Sequence, residues 1–401
     1  MAPLRFSLAI GLLSTWVQAG SPIWESHIKP QPPHPIEQQI VVDASGFAVA
    51  DEPANVHIAK RYISLLPRVE GNKIWPKRTI SYCFETQEAE DNLLDLLVEA
   101  TRLWRGSETT GTGLHEDVYK YIKVAPAGSA CVGHRDRANI LVIKYNPDGK
   151  LVTTLGIPPL NANDQEYVGP VAILSDNEGV GMLNAVANIA HELGHAWGLV
   201  HEHQNKYFWA DEPGGQGVFH GKAKREDAVF DSTTFTCQNL QDWQAVRDTL
   251  TTGATGDLEM EMACSIQGSA ATKRFSAQDW LPLVGGGTAL KLENADPAHG
   301  YRDLDWKSLM LYPSRAGGKG KASPPGPGQP LNINDGRAPV LLRRDGQEMN
   351  INLFPSPRDI LGIRQMYDDP TFPTGQPVLI NEPRSSKFQR FRGIFNKKKG
   401  C

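Results

Sequence analysis

The chain has 401 residues, of which 40% are hydrophobic and 21% are charged, and its formal net charge is −4. This composition is ordinary for a globular protein, so long disorder is excluded as the main state. The near-neutral charge argues against nucleic acid as the main partner, and we expect no nucleic-acid binding. No stretch after the N-terminus reaches the roughly 18 apolar residues that cross a bilayer, so we expect no transmembrane segment and a soluble mature protein.

The first 19 residues have the pattern of a secretory signal peptide. Arg5 precedes a short apolar run over residues 6–17, and small residues end at Ala19, which predicts cleavage before Gly20. The alternative is a buried N-terminal helix, which the shortness of the run and its place at the terminus disfavour. We therefore expect a secreted, extracellular protein.

Residues 20–61 are rich in proline and histidine, which indicates a pro-segment or linker. The dibasic pair at residues 60–61 is a candidate processing point, and a removable pro-segment would make the protein a zymogen. The folded domain is predicted over residues 75–368. Residues 369–401 form a basic tail, interpreted as a flexible solvated end, with contact to an anionic surface as the alternative.

Hydrophobic periodicity predicts the elements of the folded domain in chain order. Alternation predicts strands, and spacing of three and four predicts helices. The predicted strands cover residues 79–84, 139–145 and 168–174, and the predicted helices cover residues 91–104, 182–196 and 357–367, the last with Ser356 as N-cap. Beyond residue 204 the pattern weakens, so we expect an α+β fold in which a twisted mixed sheet and its helices lie over a loop-rich C-terminal subdomain.

Five cysteines limit the covalent framework. An oxidising compartment would pair four of them and leave one over. The sequence does not fix the connectivity. We favour Cys83 with Cys131 and Cys237 with Cys264, because Cys401 lies at the end of a tail where its geometry is unconstrained. No two cysteines have CxxC spacing, which argues against a zinc ribbon or a thioredoxin-like redox site.

The most informative segment is His-Glu-Leu-Gly-His-Ala-Trp-Gly-Leu-Val-His-Glu at residues 191–202. Residues four apart share a helix face, so His191 and His195 can direct imidazoles at one ion, while Glu192 can reach a water that the ion activates. Gly198 can end the helix with a positive φ, so that His201 supplies the third ligand of a zinc site. The pattern predicts one Zn²⁺ per chain, with Glu192 as general base.

The main alternative for the five-residue motif is a helix that carries these residues by chance. The added glycine and third histidine at fixed offsets, behind a predicted strand, disfavour that interpretation. His203 is the nearest competing ligand, but it would need a different chain path. We interpret it as adjacent to the site or exposed to solvent.

Residues 191–202 resemble the extended zinc signature of the metzincin metallopeptidases, and Glu202 directly after the third histidine resembles the astacin family. Residues 308–312 resemble the Met-turn of that family. The resemblance implies a zincin-like fold with Met310 beneath the zinc site. It also implies that Tyr312 is a further ligand that swings to stabilise the oxyanion, and that Glu202 contacts the mature N-terminus.

Two more segments extend the resemblance over the predicted domain. Residues 75–82 resemble the start of the astacin catalytic domain, and residues 358–367 resemble its closing helix. The interval between His201 and Met310 is long for the family, which predicts an insertion in the loop-rich C-terminal subdomain.

These features favour a secreted zinc endopeptidase that acts on extracellular proteins or peptides. The second interpretation is a catalytically silent zinc-binding module on a metzincin scaffold, which would have no need of Glu192. A third is a peptidase restricted to short peptides because the long lower half closes the cleft. We expect an extended substrate to pair with an edge strand of the sheet near residues 168–176.

Overall fold

The computed structural model describes eleven stretches of the chain. The described residues are 18–19, 63–65, 73–106, 113–158, 169–210, 226–250, 252–283, 290–292, 304–322, 329–330 and 332–367. The predicted pro-segment, the basic tail and Cys401 lie outside these residues, as does the predicted signal peptide except for its last two positions.

One mixed sheet organises the first half of the chain. Its central strands are parallel, and the strand next to them at one side runs the other way. In spatial order the strands are β1 (Gln18–Ala19), β6 (Val152–Thr154), β7 (Val171–Leu174), β5 (Leu141–Tyr145), β3 (Thr79–Phe84) and β4 (Lys120–Lys123). A separate antiparallel pair joins β2 (Ile63–Leu65) to β8 (Leu290–Leu292). The predicted mixed sheet is confirmed.

Helices pack on this sheet and continue through the second half. They are α1 (Gln87–Arg105), α2 (Ser129–Val132), α3 (Ala185–Trp197), α4 (Trp243–Thr249), α5 (Ala254–Ala263), α6 (Gln267–Thr272) and α7 (Pro357–Met366). The two long helices α1 and α3 contact each other, and the indole of Trp104 donates a hydrogen bond of 2.8 Å to the carbonyl of Ala190. This packing fixes α3 against the core, which matters because α3 carries the motif.

Side-chain caps set the helix starts, and they shift two of the predicted boundaries. Thr86 accepts from the amide of Ala89, so α1 begins at Gln87 rather than at residue 91. Asn184 accepts from the amide of Ala187, and Leu183 has a φ of 55°, so α3 begins at Ala185 rather than at residue 182. Both predictions missed the cap because periodicity reports burial and not the hydrogen bonds that begin a helix.

The start of α7 agrees with the sequence prediction. The hydroxyl of Ser356 accepts from the amides of Arg358 and Asp359, and the Asp359 carboxylate accepts from the amide of Ser356. Pro357 occupies the first helical position, where no amide hydrogen is needed. These features hold the helix start without help from periodicity.

The second half is loop-rich, as expected, but residues 243–272 form three short helices that the sequence pattern did not predict. Helices of 6 to 10 residues carry too few turns to produce a clear apolar stripe. The disulfide Cys237–Cys264 ties this region together, and Cys83–Cys131 joins β3 to α2. The favoured pairing is therefore confirmed, and the two bridges fit an oxidising compartment.

The expected edge of the sheet was wrong. Residues 171–174 form β7, which lies between β5 and β6, and β6 in turn pairs with β1, so the two edges of the sheet are β1 and β4. The strand β6 has three residues, all buried, and shows no alternation, which is why the sequence did not reveal it. Across the described ranges, no helix combines the length and apolar character needed to span a membrane.

Candidate metal centre

The structure brings His191, His195 and His201 together in one buried cluster. His191 and His195 lie one helical turn apart on α3, and all three residues are at most 1% exposed. Gly198 ends α3 in the left-handed region with a φ of 111°, and its amide bonds back to the carbonyl of Gly194. A residue with a Cβ would be strained there, so this glycine lets the chain turn and return His201 to the helix.

The three imidazoles meet through their Nε2 atoms. The Nε2 of His195 lies 3.1 Å from that of His191 and 3.0 Å from that of His201. The ligand atoms of the trio all lie within 4.8 Å of one another. Three basic nitrogens therefore face one point.

The opposite ring nitrogens show that these Nε2 atoms carry lone pairs. The Nδ1 of His191 lies 2.8 Å from the carbonyl oxygen of Leu309, and that of His195 lies 2.8 Å from the carbonyl oxygen of Leu199. A carbonyl only accepts, so each Nδ1 must carry the proton. A neutral ring protonated at Nδ1 leaves Nε2 bare, and two bare nitrogens at 3 Å cannot hydrogen-bond to each other.

This donor set fits a zinc ion. Neutral imidazole nitrogens are favoured zinc ligands, and tetrahedral coordination with bonds of 2.0–2.1 Å separates ligand atoms by about 3.3 Å. The separations of 3.0 and 3.1 Å are close to that spacing. Three nitrogens from the protein leave one tetrahedral position open, as in catalytic rather than structural zinc sites.

The pKa values favour the neutral rings that a metal needs. Burial lowers the pKa of His191 to about 4, while its hydrogen bond to Leu309 opposes the shift. Burial also holds the pKa values of His195 and His201 well below the usual range, and their mutual proximity adds to the effect. At neutral pH the three rings are therefore neutral, and their Nε2 atoms can donate lone pairs.

Glu192 follows His191 on α3 and is 1% exposed. Within the described part of the chain, neither of its carboxylate oxygens has a hydrogen-bond partner. Burial raises the pKa of Glu192 to about 8, and the hydroxyl of Thr153, close by but outside hydrogen-bond geometry, opposes the shift. Two free acceptors and a pKa near neutrality suit a group that takes and returns a proton.

Met310 lies directly beneath α3, at the position that the resemblance implies for a Met-turn. A Cβ added at Gly194 would lie 2.4 Å from the Met310 sulfur, so a larger residue there would force the Met310 side chain to shift. The amide of Glu202 donates to the carbonyl of Met310 at 3.0 Å, which ties the segment after the third histidine to the same turn. Gly194 is the glycine inside the motif whose role the sequence analysis did not assign.

Tyr312 and His203 pack around the third histidine. The ring of Tyr312 lies 4.1 Å from that of His201, and the ring of His203 stacks on His201 at 5.4 Å. His203 is fully buried and bonds through Nε2 to the carbonyl of Asp279, so the solvent-exposed alternative for it is wrong. Trp280 contacts both His203 and Tyr312, which brings the second half of the chain against the cluster.

Glu202 lies in a buried acidic group rather than at the histidine cluster. Its carboxylate accepts from the amide of Asp305 at 3.2 Å, and both residues are at least nine-tenths buried. Burial raises the pKa of Glu202 well above its usual range, with Asp305 and Asp359 adding to the shift. The implied contact of Glu202 with a mature N-terminus stays a prediction.

Sequence reasoning missed two residues that support the cluster from outside. Gln204 accepts from the Nδ1 of His201 at 2.9 Å, and its place three residues after that histidine is the one signal for it. Asp359 accepts from the hydroxyl of Ser308 and from the amide of Leu309, whose carbonyl in turn bonds to His191. No sequence signal links Asp359 to Leu309, because 50 residues separate them.

Comparisons with known proteins add one structural likeness. No protein-family model matches the sequence, and no curated protein sequence matches it. Among solved structures, the chain is similar to high choriolytic enzyme 1, a hatching enzyme zinc-protease from Oryzias latipes, the medaka fish. The identity is 15%, the match covers 74% of this chain and 94% of that chain, and the TM-score is 0.32. Because that TM-score is low, the case for function depends on the residues of the cluster.

Proposed function

We propose that this protein is a secreted zinc-dependent endopeptidase of metzincin type, similar to astacins, that hydrolyses peptide bonds in extracellular proteins or peptides. The observation that carries the proposal is the buried carboxylate of Glu192, which has two free oxygens beside three imidazoles whose lone pairs converge. A metal site that only stabilises a fold needs neither an open position nor an adjacent free base.

Each residue near the cluster has a task in peptide hydrolysis. His191, His195 and His201 would hold one Zn²⁺, which lowers the pKa of a coordinated water towards neutrality and polarises the scissile carbonyl. Glu192 accepts a proton from the attacking water and later passes it to the leaving amine. Tyr312, whose ring touches His201, supplies a phenol where negative charge develops on the carbonyl oxygen.

The side of β6 that faces β1 suits an extended substrate. Thr153 of β6 lies close to Glu192, so a peptide paired along β6 would pass the general base. Gln18–Ala19 pairs antiparallel with Thr153 and Thr154, which indicates that this side of β6 accepts an extended segment. Cleavage after Ala19, predicted from the sequence, would separate that segment from the folded domain and make β6 an edge strand.

The second candidate function is a zinc-binding module without turnover. The two unpaired oxygens of Glu192 argue against it, because a purely structural site gains nothing from a buried carboxylate without hydrogen-bond partners. Latency through residues 20–61 and a solvated basic tail belong to the proposal as well. A chain beginning at Gly20 should then be less active than one beginning at Tyr62.

The test compares casein hydrolysis by the purified wild-type protein and by Glu192→Gln, with the zinc content of both measured. We expect the wild type to cleave, a chelator to stop it, and Glu192→Gln to keep about one zinc while losing activity about 100- to 10,000-fold. If both proteins hold zinc and neither cleaves casein or short peptides, even when trimmed to Tyr62, the zinc-binding module is the better description. Cleavage of short peptides alone would favour the narrow peptidase.

A further inference from the structure

The three histidines of the cluster are oriented in two different ways. Main-chain carbonyls accept the Nδ1 protons of His191 and His195. The Nδ1 of His201 instead faces a side chain, the amide oxygen of Gln204, at 2.9 Å. His201 is therefore the one candidate ligand whose orienting group a substitution can remove without changing the backbone.

Hydrogen bonds to the second half of the chain fix the side-chain amide of Gln204. Its Nε2 donates to the carbonyls of Gln278 at 2.8 Å and of Leu281 at 3.1 Å. The main-chain carbonyl of Gln204 accepts from the amide of Leu283 at 2.9 Å. Because both amide hydrogens are used on carbonyls, Oε1 must be the atom that faces His201, and the histidine must donate to it.

The segment that holds Gln204 is itself anchored. The amide and hydroxyl of Ser276 donate to the carboxylate of Asp242 at 2.8 and 2.5 Å. Asp242 lies between the two cysteines of the disulfide Cys237–Cys264 in the chain. The segment 276–283 thus connects the loop closed by this disulfide to the side chain that orients His201.

We propose that Gln204 is a positioning residue for His201 and that segment 276–283 is the outer support of the metal centre. The proposal rests on the proposed function, because it assigns Gln204 a role toward the same zinc ion. An acceptor on the far nitrogen holds the tautomer and the ring orientation of a histidine ligand, and it raises the basicity of the ligating nitrogen. The amide of Gln204 supplies both effects, and its hydrogen bonds to segment 276–283 supply its rigidity.

Two substitutions separate this role from simple packing. Gln204→Leu keeps the approximate size and removes every side-chain hydrogen bond, so we expect zinc affinity to fall about 10- to 100-fold. Gln204→Glu keeps an acceptor for His201 but loses the donors to Gln278 and Leu281. It should lower the melting temperature while keeping a zinc affinity closer to that of the wild type than Gln204→Leu does.

The measurement is a chelator competition that gives the zinc affinity of the purified full-length protein, run beside thermal unfolding. The absorption spectrum of the cobalt-substituted protein gives a second readout, because it reports ligand geometry without any turnover. Gln278→Ala is the matched control: only its main-chain carbonyl bonds to Gln204, so its zinc affinity and cobalt spectrum should equal those of the wild type.

The outcomes distinguish the two proposals. If the wild type binds zinc and Gln204→Leu binds it equally well with the same cobalt spectrum, the positioning role is wrong and the proposed function stands. If Gln204→Leu and Gln204→Glu lose affinity in proportion to their loss of stability, Gln204 is a packing residue only, which also overturns the inference. A wild-type chain that binds no zinc would overturn the proposed function and this inference together.

Discussion

The half of the chain before residue 211 carries all three candidate ligands and Glu192, whereas the half from residue 226 onward carries none of them. The second half orients what the first half presents: Leu309 accepts from His191, and the segment 276–283 holds the side chain that accepts from His201. His195 is oriented within the first half, by Leu199. Substitutions in the second half should therefore change metal affinity without touching a ligand.

The two halves share one hydrophobic core but differ in what else holds them. In the first, long amphipathic helices pack on a sheet and bury periodic apolar residues in that core. In the second, buried carboxylates bind main-chain amides and hydroxyls across long sequence separations, as Asp359 binds Leu309 and Asp242 binds Ser276. Polar side chains thus set loop positions that apolar burial alone would leave poorly defined.

The largest expected effect is that of Asp359→Ala. This change removes the acceptor for the hydroxyl of Ser308 and for the amides of Leu309 and Ser356, all buried. We expect a loss of about 3–5 kcal/mol in the free energy of unfolding, measured by urea denaturation, because orphaned buried donors and a lost cap both contribute. Zinc affinity should fall as well, since Leu309 bonds to His191.

The control for this prediction is Asp345→Ala, which removes an exposed partner of Arg343 in the same half. A surface ion pair contributes about 1 kcal/mol or less, so stability and zinc affinity should hardly change. Equal effects of the two substitutions would contradict the role assigned to Asp359.

Removal of each disulfide in turn compares the halves directly. The bridges span 27 residues at Cys237–Cys264 and 48 residues at Cys83–Cys131. In the chain-entropy model their loss costs about 3.5 and about 4 kcal/mol, so paired Cys→Ser variants should lose similar stability. Zinc affinity should fall only without Cys237–Cys264, because that bridge lies beside the anchor of segment 276–283. Equal zinc affinities in the two variants would show that the halves do not differ in this respect.

A smaller effect is expected at the contact between the halves beneath α3. Gly194→Ala would place a methyl group 2.4 Å from the sulfur of Met310, so we expect a loss of about 1–3 kcal/mol from overpacking, measured by thermal unfolding. Gly268→Ala on α6 is the matched control, since a Cβ there meets nothing within 4 Å. It should be neutral or stabilising. A tolerated Gly194→Ala would mean that Met310 does not support the helix closely.

The smallest expected effect is a gain in stability that depends on pH. Burial raises the pKa of Asp279 well above its usual range, with Asp242 and Glu192 adding to the shift, and its Oδ2 has no partner among the described residues. A raised folded-state pKa means that stability is full below the unfolded value and falls as pH rises, because the folded state must then bury a charge. The side chain introduced by Asp279→Asn carries no charge at any pH.

We therefore expect Asp279→Asn to match the wild type near pH 4 and to exceed it by about 1–2 kcal/mol at pH 8, measured by urea denaturation at both values. A constant difference across this range would show that the carboxyl of Asp279 titrates normally in the folded protein.

The sequence by itself determined the elements and residues that depend on local order along the chain. The spacing of His191, Glu192 and His195 on a helix and the turn at Gly198 follow from helix geometry, and the structure places these residues as that geometry requires. The signals for the strand over residues 79–84 and for the capped helix α7 also depend only on neighbouring residues.

Only the tertiary structure decided which groups meet across long separations. Three examples are the approach of Met310 to Gly194, the hydrogen bonds from Gln204 to segment 276–283, and the place of β6 between β7 and β1. Each joins residues that no period relates. The physical reason is that apolar periodicity reports which side of an element is buried. It does not report which distant carbonyl or carboxylate will satisfy a buried polar group.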